Sequence, residues 1–124
     1  MPVTVFLVED NKVIRDNLIP TLESLAAARV EGIAETEEDA MAWLDSHDRH
    51  WDVAVVDLFL REGSGLNVVD RCRARAPNQR VVIFSNYATE EIRCRALQHG
   101  ADAVFDKSTE IDSLLDFLAQ LKGP

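Results

Sequence analysis

Five short runs rich in Val, Ile and Phe recur along the chain. They are VTVFLV (Val3 to Val8), RVEGIAE (Arg29 to Glu35), DVAVVD (Asp52 to Asp57), RVVIFS (Arg80 to Ser85) and ADAVFD (Ala101 to Asp106). Strands with one wet face alternate apolar and polar residues, whereas near-continuous apolar strands are buried on both faces, as in a parallel sheet. Parallel neighbours need long crossovers, and the segments between the runs have helical period. Val13, Ile14, Leu18, Leu22 and Leu25 fall on one stripe of Val13 to Ala26, and Ile111, Leu114, Leu115, Leu118 and Leu121 on another. Thr36 with Asp39, ahead of Ala40, Trp43 and Leu44, reads as a capped helix start, and Leu66 to Cys72 and Glu90 to Leu97 complete the alternation.

Five strands alternating with five helices predict an open α/β sheet with right-handed crossovers and helices on both faces. For this count the leading topology is a flavodoxin-like five-stranded parallel sheet in the order 2-1-3-4-5. The 124 residues fit one domain, 1–124, with no linker. Pro20 conflicts with the first helical stripe, because an interior proline lacks an N–H and costs roughly 3 kcal/mol. A kink or a solvent-side break is predicted there.

A net charge of -9 argues against nucleic acid or an anionic membrane as the main partner of this domain, since both need a basic face. Cys72 and Cys94 lack metal or redox spacing and read as reduced thiols. The start MPVTVFLVEDNK has no basic leader, and its apolar run is too short for a span; a cytoplasmic location is expected.

In open α/β sheets the functional crevice lies at the carboxyl ends of the strands. There the first run ends in Glu9 and Asp10, the third in Asp57, the fourth in Ser85, and the fifth in Asp106 and Lys107. Asp57 sits in VVDLFLREGSG, between apolar stretches, where a carboxylate is costly without partners. Clustered carboxylates repel unless a cation joins them or one takes up a proton. No His or Cys is placed to bind, so oxygen ligands favour a hard ion, Mg²⁺ above all. A carboxylate beside Mg²⁺, flanked by a lysine and a hydroxyl, is equipped to accept a phosphoryl group as a nucleophile, with the cations neutralising its oxygens.

These residues, in this order, resemble a response-regulator receiver domain of bacterial two-component signalling, over essentially the whole chain. The resemblance implies Glu9 and Asp10 as the acidic metal-binding pair and Asp57 as the phosphoacceptor. It also implies Ser85 as the switch hydroxyl, Phe105 as the aromatic switch, and Lys107 as the phosphoryl-binding lysine. Gly65 falls at the loop glycine, and Phe59 at the position whose backbone carbonyl binds the metal. Implied partners are a histidine kinase or a histidine phosphotransfer protein. Output is expected through a reshaped surface of the fourth helix, fifth strand and fifth helix, acting on protein partners or a missing output domain, with a phosphorylation-dependent homodimer also allowed. The chain is expected to catalyse only its own phosphorylation and dephosphorylation.

The pattern has departures. Ser108 stands where the family usually has a proline after a cis bond, and a cis bond before a non-proline costs about 2.5 to 4 kcal/mol, so a trans Lys107–Ser108 peptide is favoured. Ser108 or Thr109 is expected to cap the last helix. Arg61 replaces another loop proline. The bulky Phe59 and Tyr87 flank the path of the attacking water in the family, which predicts slow phosphoryl loss.

Other readings compete. Glu9 and Asp10 taken alone serve the dipole of the first helix. Phe105 reads equally as core, and Ser85 as a plain strand-end hydroxyl. A non-phosphorylated pseudo-receiver is the alternative function. A phosphatase resembling the haloacid dehalogenase family would need an Asp where Phe59 stands, and a flavodoxin a glycine- and hydroxyl-rich loop where EDNK stands. His47, His50 and His99 read as structural or solvated, Trp43 and Trp51 as packing residues, and Phe117 as either core or partner surface.

Overall fold

A computed structural model describes residues 2–121. The elements run β1 (Val3–Val8), α1 (Lys12–Leu25), β2 (Ala28–Ala34), α2 (Glu37–Ser46), β3 (Val53–Val56), α3 (Gly65–Arg71), a 3-10 turn (Cys72–Ala74), β4 (Arg80–Ser85), α4 (Glu90–Gln98), β5 (Ala103–Asp106) and α5 (Ile111–Leu121). The sheet is parallel with strand order β2-β1-β3-β4-β5, as the alternating pattern predicts.

The apolar runs lack alternation because the sheet feeds two cores. Phe6, Val8, Ala54, Val56, Val81 and Ile83 pack with Ala40, Leu44, Val68, Val69 and Ala96 from α2, α3 and α4. Val5, Leu7, Val53, Val55, Val82 and Phe84 pack with Leu18, Leu22, Leu114 and Leu118 from α1 and α5. Successive side chains of a strand point to opposite faces, so each strand serves both layers.

The central strand β3 is shorter than the run Asp52 to Asp57 and leaves out its two aspartates. Asp52 lies just before β3, where its Oδ2 accepts the Thr4 amide at 2.8 Å; Asp102, before β5, accepts the Val81 amide at 2.8 Å in the same way. Each aspartate satisfies an amide of the neighbouring strand near its start. Side-chain oxygens also cap the helices, with Asn11, Thr36, Ser64 and Thr89 accepting from Ile14, Asp39, Leu66 and Ile92.

One expectation is corrected. The edge strand β2 is not buried on both faces: its exposure alternates, and Ile33 is 47% exposed. Its register shifts so that Val30 pairs with Val5 and Gly32 with Phe6. A Cβ at Gly32 would lie 2.3 Å from the Trp43 ring, which stacks on both Phe6 and His47 at centroid distances of 4.1 Å. At Pro20, where a kink or a solvent-side break is predicted, α1 continues through the proline. Pro20 faces solvent, where water can satisfy the carbonyl that the missing N–H leaves free.

Among the described residues every peptide bond is trans, including Lys107–Ser108. Cys72 is buried and Cys94 exposed, both free, and burial pushes the Cys72 thiol up to about 11. Trp51 is buried in the core, as expected of a packing residue.

Candidate functional site

Strand ends deliver the site. The Glu9 amide donates to the Ala34 carbonyl and the Asp57 amide to the Val8 carbonyl, each at 2.9 Å, so both residues leave the sheet at the same level. Glu9, Asp10 and Asp57 each offer a carboxylate oxygen, and these three oxygens lie within 4.8 Å of one another. Lys107 reaches two of them: its Nζ is 3.2 Å from Asp57 Oδ2 and donates to Glu9 Oε1. The lysine amide donates to the Ser85 carbonyl at 3.0 Å, which ties the end of β5 to the end of β4.

The electrostatics follow from depth. Glu9 is 1% exposed, yet it has the Lys107 ammonium on one oxygen and the Asn11 amide at 3.2 Å on the other. Burial pushes the Asp57 carboxyl up to about 6; Lys107 opposes that rise and the Glu9 charge adds to it. A cation joining these carboxylates would relieve the repulsion. The donors are all oxygen, closely spaced and anionic, which fits a hard divalent ion such as Mg²⁺ or Ca²⁺.

Ser85 is fully buried, and its Oγ accepts the Tyr87 amide at 3.0 Å. Phe59 and Tyr87, each 58% exposed, meet edge to face at 4.9 Å across the two loops. Phe105 is half-buried and packs against Phe117 of α5 at 5.8 Å, which places Phe117 against the α1/α5 core. Gly65 is required by proximity, because a Cβ there would lie 2.0 Å from the Asp57 carbonyl oxygen.

Asp106, read as a rim carboxylate, is not in the cluster. Its Oδ1 accepts the Ser108 amide and hydroxyl at 2.8 and 2.7 Å and the Thr109 amide at 3.2 Å, and the Ser108 hydroxyl bond leads in holding its carboxyl below the usual range. Ser108 and Thr109 therefore close the β5–α5 turn onto Asp106 and do not supply the expected cap.

Several supporting residues escaped the sequence reading. Arg15 of α1 donates to the Glu9 carbonyl and to Glu35, both at 2.9 Å. Arg93 of α4 donates to the Ala88 and Val104 carbonyls at 3.0 and 2.8 Å and pairs with Glu110, which also accepts the Asp106 amide. The only sequence signal is an arginine on a segment read as helix. Of the histidines, His47 stacks on Trp43, and His99 Nδ1 lies 2.8 Å from Asp70. No helix among the described residues is long and apolar enough to cross a membrane.

The chain is similar to known proteins. Residues 5–119 match the family model described as the response regulator receiver domain. The nitrate/nitrite response regulator protein NarL of Escherichia coli is 29% identical over 119 residues, covering 96% of this chain and 54% of that protein. The DNA-binding transcriptional activator DevR/DosR of Mycobacterium tuberculosis is 33% identical over 99 residues, covering 80% of this chain and 45% of the relative. The chain thus spans about half the length of the curated relatives it matches. Among solved structures, a response regulator from Burkholderia pseudomallei, crystallised with a phosphorylated aspartic acid, calcium ion and citrate, superposes with a TM-score of 0.79 at 24% identity, covering 97% of this chain and 69% of that one. With the family model spanning nearly all of the described residues, the chain belongs to the response regulator receiver domain family.

Proposed function

We propose that this domain is a phosphoryl-accepting signalling switch in which Asp57 is the nucleophile. The observation that carries this is the placement of Asp57 Oδ2 3.2 Å from Lys107 Nζ, within a carboxylate cluster able to hold a divalent cation. A carboxylate oxygen of Asp57 attacks the phosphorus of a phosphohistidine on a histidine kinase or phosphotransfer protein. The P–N bond breaks, its electron pair returns to the imidazole, which takes up a proton, and an acyl phosphate forms on Asp57.

Glu9, Asp10, Asp57 and the Phe59 backbone carbonyl would hold Mg²⁺, which would supply charge neutralisation to the phosphoryl oxygens. The Lys107 ammonium would draw on the same oxygens. Ser85, freed from the Tyr87 amide, donates its hydroxyl to a phosphoryl oxygen, and Phe105 turns from Phe117 as the surface of α4, β5 and α5 changes. Phe59 and Tyr87 close over the acyl phosphate and slow its hydrolysis. The chain catalyses only its own phosphorylation and dephosphorylation in the cytoplasm, and output passes to protein partners or an attached output domain, DNA-binding in relatives such as DevR/DosR.

The test is intact-protein mass spectrometry after incubation with Mg²⁺ and a small phosphodonor, with a cognate kinase as second donor. One phosphoryl adduct that disappears in Asp57→Asn and on chelation is expected. Failure with both donors, together with no Mg²⁺ affinity, would identify a pseudo-receiver instead.

A further inference from the structure

The loop between β3 and α3 is gripped from outside by the first residue of α2. The Glu37 amide donates to the Glu62 carbonyl at 3.0 Å, and Glu37 Oε1 accepts the Ser64 amide at 3.0 Å and the Asn67 side chain at 2.9 Å. The loop is shaped to admit this side chain. Gly63 has φ +88°, and a Cβ there would lie 2.3 Å from the Glu37 Cβ and 2.6 Å from its Oε1.

The grip is relayed toward the site. Ser64 pairs with Phe59 in an isolated antiparallel bridge, and the Gly65 amide donates to the Leu58 carbonyl at 2.9 Å. The stretch from Phe59 to Ser64 is therefore a closed turn, rooted at Asp57 and held on its outer side by Glu37. The Asn67 hydrogen bond, then that of Ser64, lowers the Glu37 carboxyl below its ordinary value, so the ionised form is the one that the loop engages.

We propose that Glu37 is a positioning residue for the phosphoacceptor site: by holding Ser64 it sets the backbone of Phe59 and so the affinity of the Asp57 cluster for a divalent cation. The inference rests on the functional reading above, in which the Phe59 carbonyl joins Glu9, Asp10 and Asp57 around Mg²⁺. Glu37 touches neither the ion nor the phosphoryl group, and it acts through Ser64. Residues that orient ligands from behind change metal affinity by about tenfold when removed.

The test is calorimetric Mg²⁺ titration of the full chain beside Glu37→Ala, Glu37→Asp and Glu37→Gln, with amide hydrogen exchange at Ser64 and Gly65 in the metal-free proteins. Asp keeps the negative charge in the first turn of α2 but loses one methylene of reach; Gln keeps the reach and an acceptor oxygen. Expected are about tenfold weaker Mg²⁺ binding and faster exchange in the Ala and Asp variants, with Gln within about twofold of the parent. The Asp variant keeps the helix-start charge and guards against a folding defect in the Ala variant. Parent-like Mg²⁺ affinity in Glu37→Asp, with or without faster exchange, would overturn the inference alone. A parent that binds no Mg²⁺ would overturn the functional reading and the inference with it.

Discussion

Neutralising Asp57 should stabilise the metal-free protein, and only above a definite pH. Burial raises the Asp57 carboxyl from 3.8 to about 6, against the pull of Lys107. Below about pH 3.8 Asp57 is protonated in both the folded and unfolded chains, and Asp57→Asn, which resembles the neutral form, should change little. Between pH 3.8 and 6 the unfolded chain ionises first and binds fewer protons than the folded one, so parent stability falls as pH rises. Above pH 6 both states are ionised and the deficit is constant. Its size, on the order of 3 kcal/mol, comes from the rise at 1.36 kcal/mol per pKa unit. Urea unfolding of parent and Asp57→Asn at pH 4, 6 and 8, without divalent ions, measures the difference directly. The stability gap should open across that window, and excess Mg²⁺ at pH 8 should narrow it by binding only the folded parent. A gap that is flat from pH 4 to 8, or a parent more stable than the variant at pH 8, would refute the reasoning.

Three further perturbations test the surrounding structure. Lys107→Met leaves the buried Glu9 carboxylate without its cation and should lower stability by about 3 kcal/mol in urea unfolding, besides abolishing phosphorylation. Tyr87→Ala removes half of the edge-to-face pair over the site and should shorten the phosphoryl lifetime several-fold by timed mass spectrometry; an unchanged lifetime removes Tyr87 from the shield. Pro20→Ala restores a helical amide on an exposed face and should raise stability by about 1 to 3 kcal/mol, read by the urea midpoint.

The site was legible because its side chains sit where apolar runs stop. Glu9, Asp57, Ser85 and Lys107 could be found by looking at the carboxyl end of each run, and a parallel sheet brings such ends together. Thr36 could be read as a cap from its own neighbourhood. Contacts between loops leave no such trace: nothing near Glu37 indicates Ser64 and Asn67, and nothing near Arg93 indicates Glu110. Asp106 shows the limit of reading by position, since it ends a strand like Asp57 yet its carboxylate turns to Ser108 and Thr109. The bulge in β2 was hidden for another reason: Gly32 answers to the Trp43 ring, eleven residues away, and not to its own strand.

The two-core sheet also changes how strand alignment is protected. Where one face is wet, sliding a strand by a single residue is punished along its whole length, because every apolar side chain turns to water. In β3 the same slide would carry Val53, Ala54, Val55 and Val56 from one oily layer into the other, with a much smaller penalty. Alignment must then be enforced at the two polar ends, where Asp52 takes the Thr4 amide and the Asp57 amide meets the Val8 carbonyl. An insertion within these four residues would leave their hydrophobic fit largely intact and still take Asp57 away from Glu9, Asp10 and Lys107, by turning the aspartate out of the crevice.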